Sequence, residues 1–223
     1  MAGTLLITET SVASARDEAV PGTEIPYTSD STLNSGALVE GTIAPDGSGG
    51  FVFNVTAVLD PNPTIVSSPV SGNVTIGANR SYLVTNTGSI NGNVNVNGGV
   101  LTVIGGSANG NISIGANAAI ICNSGATVSG GTFRITGSGS NTSVIIHNST
   151  VNGRFSTQGI YFVSLLGNTH NGHIESGSDT YVTVRNNTTN NNSNLAVTAV
   201  ANDCYIENNR VSGTVTLDPQ CQA

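Results

Sequence analysis

Lysine and tryptophan are absent from this chain, aromatic residues make up 4% of it, and charged residues only 9%. Each shortage excludes something. Six arginines are the only strong cations against a net charge of −7, so no basic surface of the kind that grips nucleic-acid phosphates is expected. Low charge combined with 37% hydrophobic residues also excludes composition-driven disorder, which needs the reverse balance. No run approaches the ~20 apolar residues of a membrane-spanning helix, so no membrane partner is expected. The opening stretch MAGTLLITETSVASARDEAV lacks a basic n-region. Its LLI is far shorter than the ~7–15-residue core of a secretion signal, so no cleaved signal is expected.

What fills the chain instead is Asn, Ser, Thr and 28 glycines, the composition of an all-β protein with many turns and a neutral polar surface. Charge and proline divide the 223 residues in two. Residues 1–70 carry eight acids against Arg16 alone, the remainder balances five acids with five arginines, and six of the seven prolines lie at or before Pro69.

The second part repeats. The frame V-x-G-x-V recurs as VSGNV (70–74), INGNV (90–94), ANGNI (108–112), VSGGT (128–132), VNGRF (151–155), HNGHI (170–174) and VSGTV (211–215). Its glycines are Gly72, Gly92, Gly110, Gly130, Gly153, Gly172 and Gly213, and a degenerate copy puts Asn191 in the glycine's place. Successive spacings are 20, 18, 20, 23, 19, 19 and 22 residues. A second column precedes the first by five to seven residues: Asn86, Asn123, Asn148, Asn186 and Asn208, with Gly105 and Gly167 in the remaining coils. Residues two and four before that column are nearly all apolar, as in Leu101/Val103, Ala119/Ile121, Val144/Ile146 and Cys204/Ile206.

Period-two alternation broken by Gly or Asn three times per coil describes short strands joined by turns. Strands repeating in one direction at this period are parallel and stack coil on coil, since no single coil buries its own inner face. The expected fold is therefore all-β, a right-handed parallel β-helix of about seven coils over residues 70–217, with a tail at 218–223. An Asn column inside it is expected to stack as an amide ladder.

Residues 1–69 form a separate β region. ALVEGTIA (37–44) and FVFNVTAVL (51–59) flank the turn PDGSGG (45–50), a hairpin pattern, and DPNP (60–63) breaks the chain before the solenoid. Attachment, or capping of the first coil's bare edges, is the expected role. Side chains at odd offsets from the Asn column face outward. Leu83, Ile104, Ile120, Ile145 and Leu166 there form an apolar strip that marks a contact, either with sister chains of a trimer or with residues 1–69 folded back.

The Gly/Asn-punctuated coil with its Asn column resembles the right-handed β-helices of phage tail spikes and fibres, pectate-lyase-like proteins and autotransporter or haemagglutinin-type adhesins. The bactofilin filament proteins share short Gly-punctuated coils. The resemblance is architectural, covers about two-thirds of the chain, and does not fix function.

Chemistry is sparse. The coils hold four acids, Glu175, Asp179, Asp203 and Glu207, where glycoside cleavage needs two carboxylates about 5–9.5 Å apart. Asp203 and Glu207 flank one strand beside Arg185, which reads as a surface ion pair with turn acids. His147, His170 and His173 lack metal-ligand spacing, so neither metal nor cofactor is expected. GGSANG (105–110) has no lysine after it and is no phosphate loop. An ice-binding array would need a flat threonine column, and the outward Thr85, Thr102 and Thr183 do not line up. Tyr161, Tyr181 and Tyr205 suit stacking on sugars. Of Cys122, Cys204 and Cys221, the last two are the candidate disulfide; the alternative is three buried small side chains.

A Lys-free, weakly charged surface without a secretion signal is reconciled by release through lysis. The expected function is thus a non-enzymatic structural protein of a phage virion: a short spike, fibre or capsid-decorating subunit, trimeric, joined to other virion proteins through residues 1–69. Host-surface carbohydrate is a further candidate partner. A bacterial surface adhesin or self-assembling filament protein is the alternative, and a carbohydrate-active enzyme the third reading.

Overall fold

A computed structural model of the chain describes residues 2–9, 12–15, 24–28, 38–45, 51–123, 125–136 and 142–221. Every regular element among them is a strand. From residue 64 onward most strands are short, ended by Gly or Asn corners, and pair in parallel with their counterparts one coil later; on face three the pairing is interrupted after Ile112–Ile114.

Three faces result. Face one is an eight-stranded parallel sheet of Thr64–Val66, Ser81–Val84, Val100–Ile104, Ala119–Asn123, Ser143–His147, Phe162–Leu166, Tyr181–Arg185 and Asp203–Glu207. Face two stacks Pro69–Ser71, Ser89–Asn91, Ser107–Ala108, the first parts of Thr127–Thr136 and Thr150–Gln158, Thr169–Asn171 and Thr188–Thr189. Face three carries Val74–Ile76, Val94–Val96, Ile112–Ile114, the later parts of the two long strands, Ile174–Gly177, Leu195–Thr198 and Val215–Leu217. The result is the parallel β-solenoid expected from the repeat, with about seven turns.

The interior is one continuous apolar cluster running from Val66 to Ile206. Face two supplies Ile90, Ala108, Val128 and Val151, and face three Val94, Val96, Ile112, Ile114, Phe155, Ile174, Leu195 and Val197, all buried. Each such aliphatic side chain contributes roughly 1.5–3 kcal/mol on leaving water. Cys204, in the inward column of the last face-one strand, is disulfide-bonded to Cys221 with Cα atoms 4.5 Å apart. That separation is close to the inter-strand spacing, so Cys221 continues the column one rung further.

The corner glycines of the V-x-G-x-V frame are held by backbone approach. Gly72 and Gly153 adopt φ of 98° and 95°, where a Cβ is strained. A Cβ on Gly92 would run into the carbonyl of Gly72, and one on Gly172 into that of Gly153. At the degenerate coil, Asn191 and Asn192 both take left-handed φ, 60° and 53°, and absorb two extra residues before Leu195.

Two expectations on face one are corrected. Val103 pairs with Cys122, so Asn123 lies opposite Ile104, one residue before the column assigned to it. Ile120 and Cys122 consequently point into the core, while Ala119 and Ile121 point out. The run from Ala118 to Cys122 is apolar throughout, so period-two alternation carries no phase there, and the neighbouring coils decide it. Asn86, Asn148, Asn186 and Asn208 keep their column, but they are exposed corners and not an interior ladder. Asn148, Asn186 and Asn208 have φ of 47°, 54° and 52°, and Gly105 and Gly167 have 67° and 65°. The column selects residues that tolerate the left-handed region.

In the N-terminal part, Leu38–Pro45 and Phe51–Asp60 form the expected antiparallel hairpin, whose turn at 46–50 lies outside the described residues. With Ala2–Glu9, Val12–Ala15 and Glu24–Thr28 they close a five-stranded barrel. Replacing Gly172 by Ala is expected to lower stability by about 1–3 kcal/mol, the cost of forcing atoms into a packed corner. Thermal and denaturant unfolding check it, with Gly177→Ala, whose added Cβ meets only ordinary contacts, as the control.

Candidate functional site

The solenoid's candidate site residues fall into four groups. The first is a ladder at the corner between faces one and two, one residue after the left-handed column. Asn168 and Asn187 are buried there, and Asn209 follows half-buried. The Asn168 Nδ2 donates to Asn187 Oδ1 at 3.0 Å, and Asn187 Nδ2 to Asn209 Oδ1 at 3.0 Å. Backbone N–H groups of Ser149, Asn168 and Asn187 donate to the amide oxygen one coil on, at 3.0, 3.0 and 2.9 Å. Nδ2 of Asn187 and Asn209 also reaches the carbonyls of Leu165 and Val184. This is the interior amide ladder, displaced by one position from the expected column. The Asn–Asn doublets 186–187 and 208–209 are the sequence signal that marks it.

The second group is the outer side of face one. Leu83 and Ile145 point outward and are nevertheless buried, at 5% exposure each; Ile104 and Leu166 are half-exposed, and Ile120 belongs to the core instead. Val100, Ala119, Ile121 and Ile145 form a second apolar cluster, on which Leu59 and Phe162 pack. Next to Leu59, the buried Asp60 accepts the Ser81 N–H at 2.9 Å and lies 3.5 Å from Arg80. The end of the N-terminal hairpin thus lies on this strip, the second of the two contacts expected for it.

Further along the same face the composition changes to Tyr181, Thr183, Arg185, Asp203, Tyr205 and Glu207. Arg185 pairs with Glu207 at 2.7 Å and lies 5.0 Å over the Tyr205 ring, whose hydroxyl donates to Glu207 at 3.1 Å. Tyr161 meets Tyr181 edge-on at 5.3 Å, and Asn202 donates to the Tyr181 hydroxyl. Thr102 and Thr183 stand on different rungs with Ile121, Ile145 and Ser164 between them, so these threonines form no column.

The third group is the acids and histidines. Asp203 and Glu207 are four residues apart on one strand, about 13 Å along it, beyond the roughly 5–9.5 Å of a cleaving carboxylate pair. Glu175 pairs with Arg154 on the neighbouring rung. Asp179 is buried and accepts from Thr157 and Ser176 at 2.6 Å and from the Ile160 N–H at 2.7 Å. Burial raises its pKa, partly offset by these bonds. The His147 Nε2 shares a 2.9 Å hydrogen bond with Ser164, and His173 Nδ1 accepts the Asn194 N–H. His170 lies in the core edge-on to Phe155, and neither ring nitrogen has a partner. Among the described residues no three His, Cys, Asp or Glu are grouped to hold a metal ion. Burial also pushes the Cys122 thiol up to about 12, leaving it a protonated core side chain.

The fourth group, the outer side of face two, is an uncharged array of Ser, Thr and Asn between the rungs of Pro69 and Arg210. Comparison with protein-family models, curated proteins and solved structures finds no match to the chain.

Burial depresses His147 and His170 from the ordinary 6.5 to about 4. The unfolded chain therefore takes up protons in that window while the folded one does not. Stability is full above pH 6.5 and falls toward pH 4, by on the order of 3 kcal/mol for each histidine. Asp179 opposes this, since its raised value lets the folded state bind a proton first, and its contribution grows as pH falls. Denaturant midpoints across the window check the balance, and His170→Leu is expected to flatten the acid slope. In the ladder, Asn187→Leu is expected to cost about 1–3 kcal/mol for each buried group left unpaired.

Proposed function

We propose that the chain is a non-enzymatic structural protein of a phage particle: a short spike, fibre or capsid-decorating subunit, attached through residues 1–69 with the solenoid projecting. The observation that carries this reading is the use made of the distinctive residues. The corner glycines, the left-handed Asn column and the buried amide ladder all join one coil to the next, which suits a stiff projection. The Cys204–Cys221 disulfide supports a location in an oxidising setting outside a reducing cytosol. The separate N-terminal barrel supports a division between attachment and projection.

A trimer remains part of the proposal, although the apolar strip no longer argues for it because Leu59 packs there within the same chain. The tyrosine, arginine and carboxylate cluster around Tyr205 favours a second reading, a surface adhesin that meets host carbohydrate through these side chains.

Light scattering after size exclusion separates the assemblies: a trimer mass supports the spike, an open polymer a filament, and a stable monomer counts against both. Incubation with host polysaccharide is expected to give no cleavage. Cleavage by the natural chain that is lost in the Asp203→Ala, Glu207→Ala double variant would replace the structural reading with an enzymatic one.

A further inference from the structure

Face two carries a surface on which the residues preceding each copy of the V-x-G-x-V frame are stacked rung on rung. Each of its strands turns one residue inward, in order Ile90, Ala108, Val128, Val151, His170 and Thr189. The residues on either side of each point out. Parallel pairing places Ser89, Ser107, Thr127, Thr150, Thr169 and Thr188 in a single column over six consecutive rungs, with no shift of register. On the other side stand Asn91, Asn109, Ser129, Asn152, Asn171 and Asn190.

The array is a two-dimensional lattice. Rungs repeat every ~4.8 Å up the solenoid, and the two columns lie ~6.6 Å apart along each strand. None of its positions carries a charge. The amides are fixed by one another: Asn109 donates to Asn91 at 2.8 Å, Asn171 to Asn152 at 2.8 Å, Asn190 to Asn171 at 2.9 Å, and Asn152 to Ser129 at 3.2 Å. Their rotamer freedom is therefore already lost before anything binds. The four threonines are half-buried, and among the described residues none of their hydroxyls has a protein partner.

A ligand that uses this surface must be neutral, must repeat in two directions, and must be met by hydroxyls, amides and methyl groups at once. A dissolved sugar covers one or two rungs and gains nothing from identity across six. An extended lattice of ordered water gains from every rung. Waters held between successive hydroxyls and amides, with the threonine methyls packed between them, would repeat at the rung spacing and merge with such a lattice. We propose that the outer side of face two is an ice-binding surface, with Thr127, Thr150, Thr169 and Thr188 as its central column and the Asn column as its second. This is independent of which particle or surface displays the solenoid.

The test uses the full chain in slowly grown ice, measuring partition into the solid and the shape of single ice crystals. The natural protein is expected to be enriched in ice and to facet the crystals. Thr150→Tyr and Thr169→Lys, each placing bulk or charge on the lattice without entering the core, are expected to lose both effects, with circular dichroism and the disulfide unchanged. Thr75→Tyr, exposed on face three, is expected to behave as the natural chain. Exclusion of the natural protein from ice overturns the proposal. So does enrichment of folded Thr150→Tyr and Thr169→Lys equal to the natural protein's, or retention on crystalline cellulose or chitin with no enrichment in ice.

Discussion

The solenoid depends on one constraint: its strands must hydrogen-bond in parallel register to their counterparts one coil away. A coil of some twenty residues cannot close a core by itself, so its inner face is buried only by the coils above and below. That requirement turns sequence positions into columns. A column inherits one physical task along its whole length, and the residue type follows from the task.

Three tasks account for most of the unusual composition. Where the backbone of one coil touches the carbonyl of the next, as at Gly92 over Gly72 and Gly172 over Gly153, only the loss of a side chain makes room. Where the chain turns with positive φ, as at Asn148, Asn186 and Asn208, Asn and Gly are the residues that tolerate it. Where a corner buries backbone groups, as at Asn168 and Asn187, an amide that both donates and accepts satisfies its own coil and its neighbour. Low charge follows too, because like charges stacked rung on rung would repel; the ion pairs Arg154–Glu175 and Arg185–Glu207 appear instead as opposite charges on adjacent rungs.

Much of this was legible in the residues, and the failures have identifiable causes. The glycine column and the inward valines and isoleucines of faces two and three stand where the repeat placed them. The phase of the 118–122 segment did not, because an all-apolar run has no alternation to read, and with it went Asn123 and Ile120. The amide ladder was assigned to the wrong member of each Asn doublet, since composition does not distinguish the residue that turns the corner from the one that fills it. The hairpin end on the outer strip of face one, with Leu59 against the cluster of Val100, Ala119, Ile121 and Ile145, is a long-range contact that no periodicity contains.

By itself the sequence determined the architecture: an all-β solenoid, its parallel sense, its corners, and a separate N-terminal β region. Those follow from period and from residue types with narrow conformational tolerance. The tertiary structure alone decided which outer face is covered, as face one is by Leu59. Thr127, Thr150, Thr169 and Thr188 each stand three residues before Gly130, Gly153, Gly172 and Asn191 of the frame, so the repeat aligns them but does not say whether anything covers them. Parallel pairing keeps that column in register although a bulge between Ser129 and Thr132 adds a residue to one strand. Hydrogen bonding sets the distance between rungs, and the corners take up whatever length is left over.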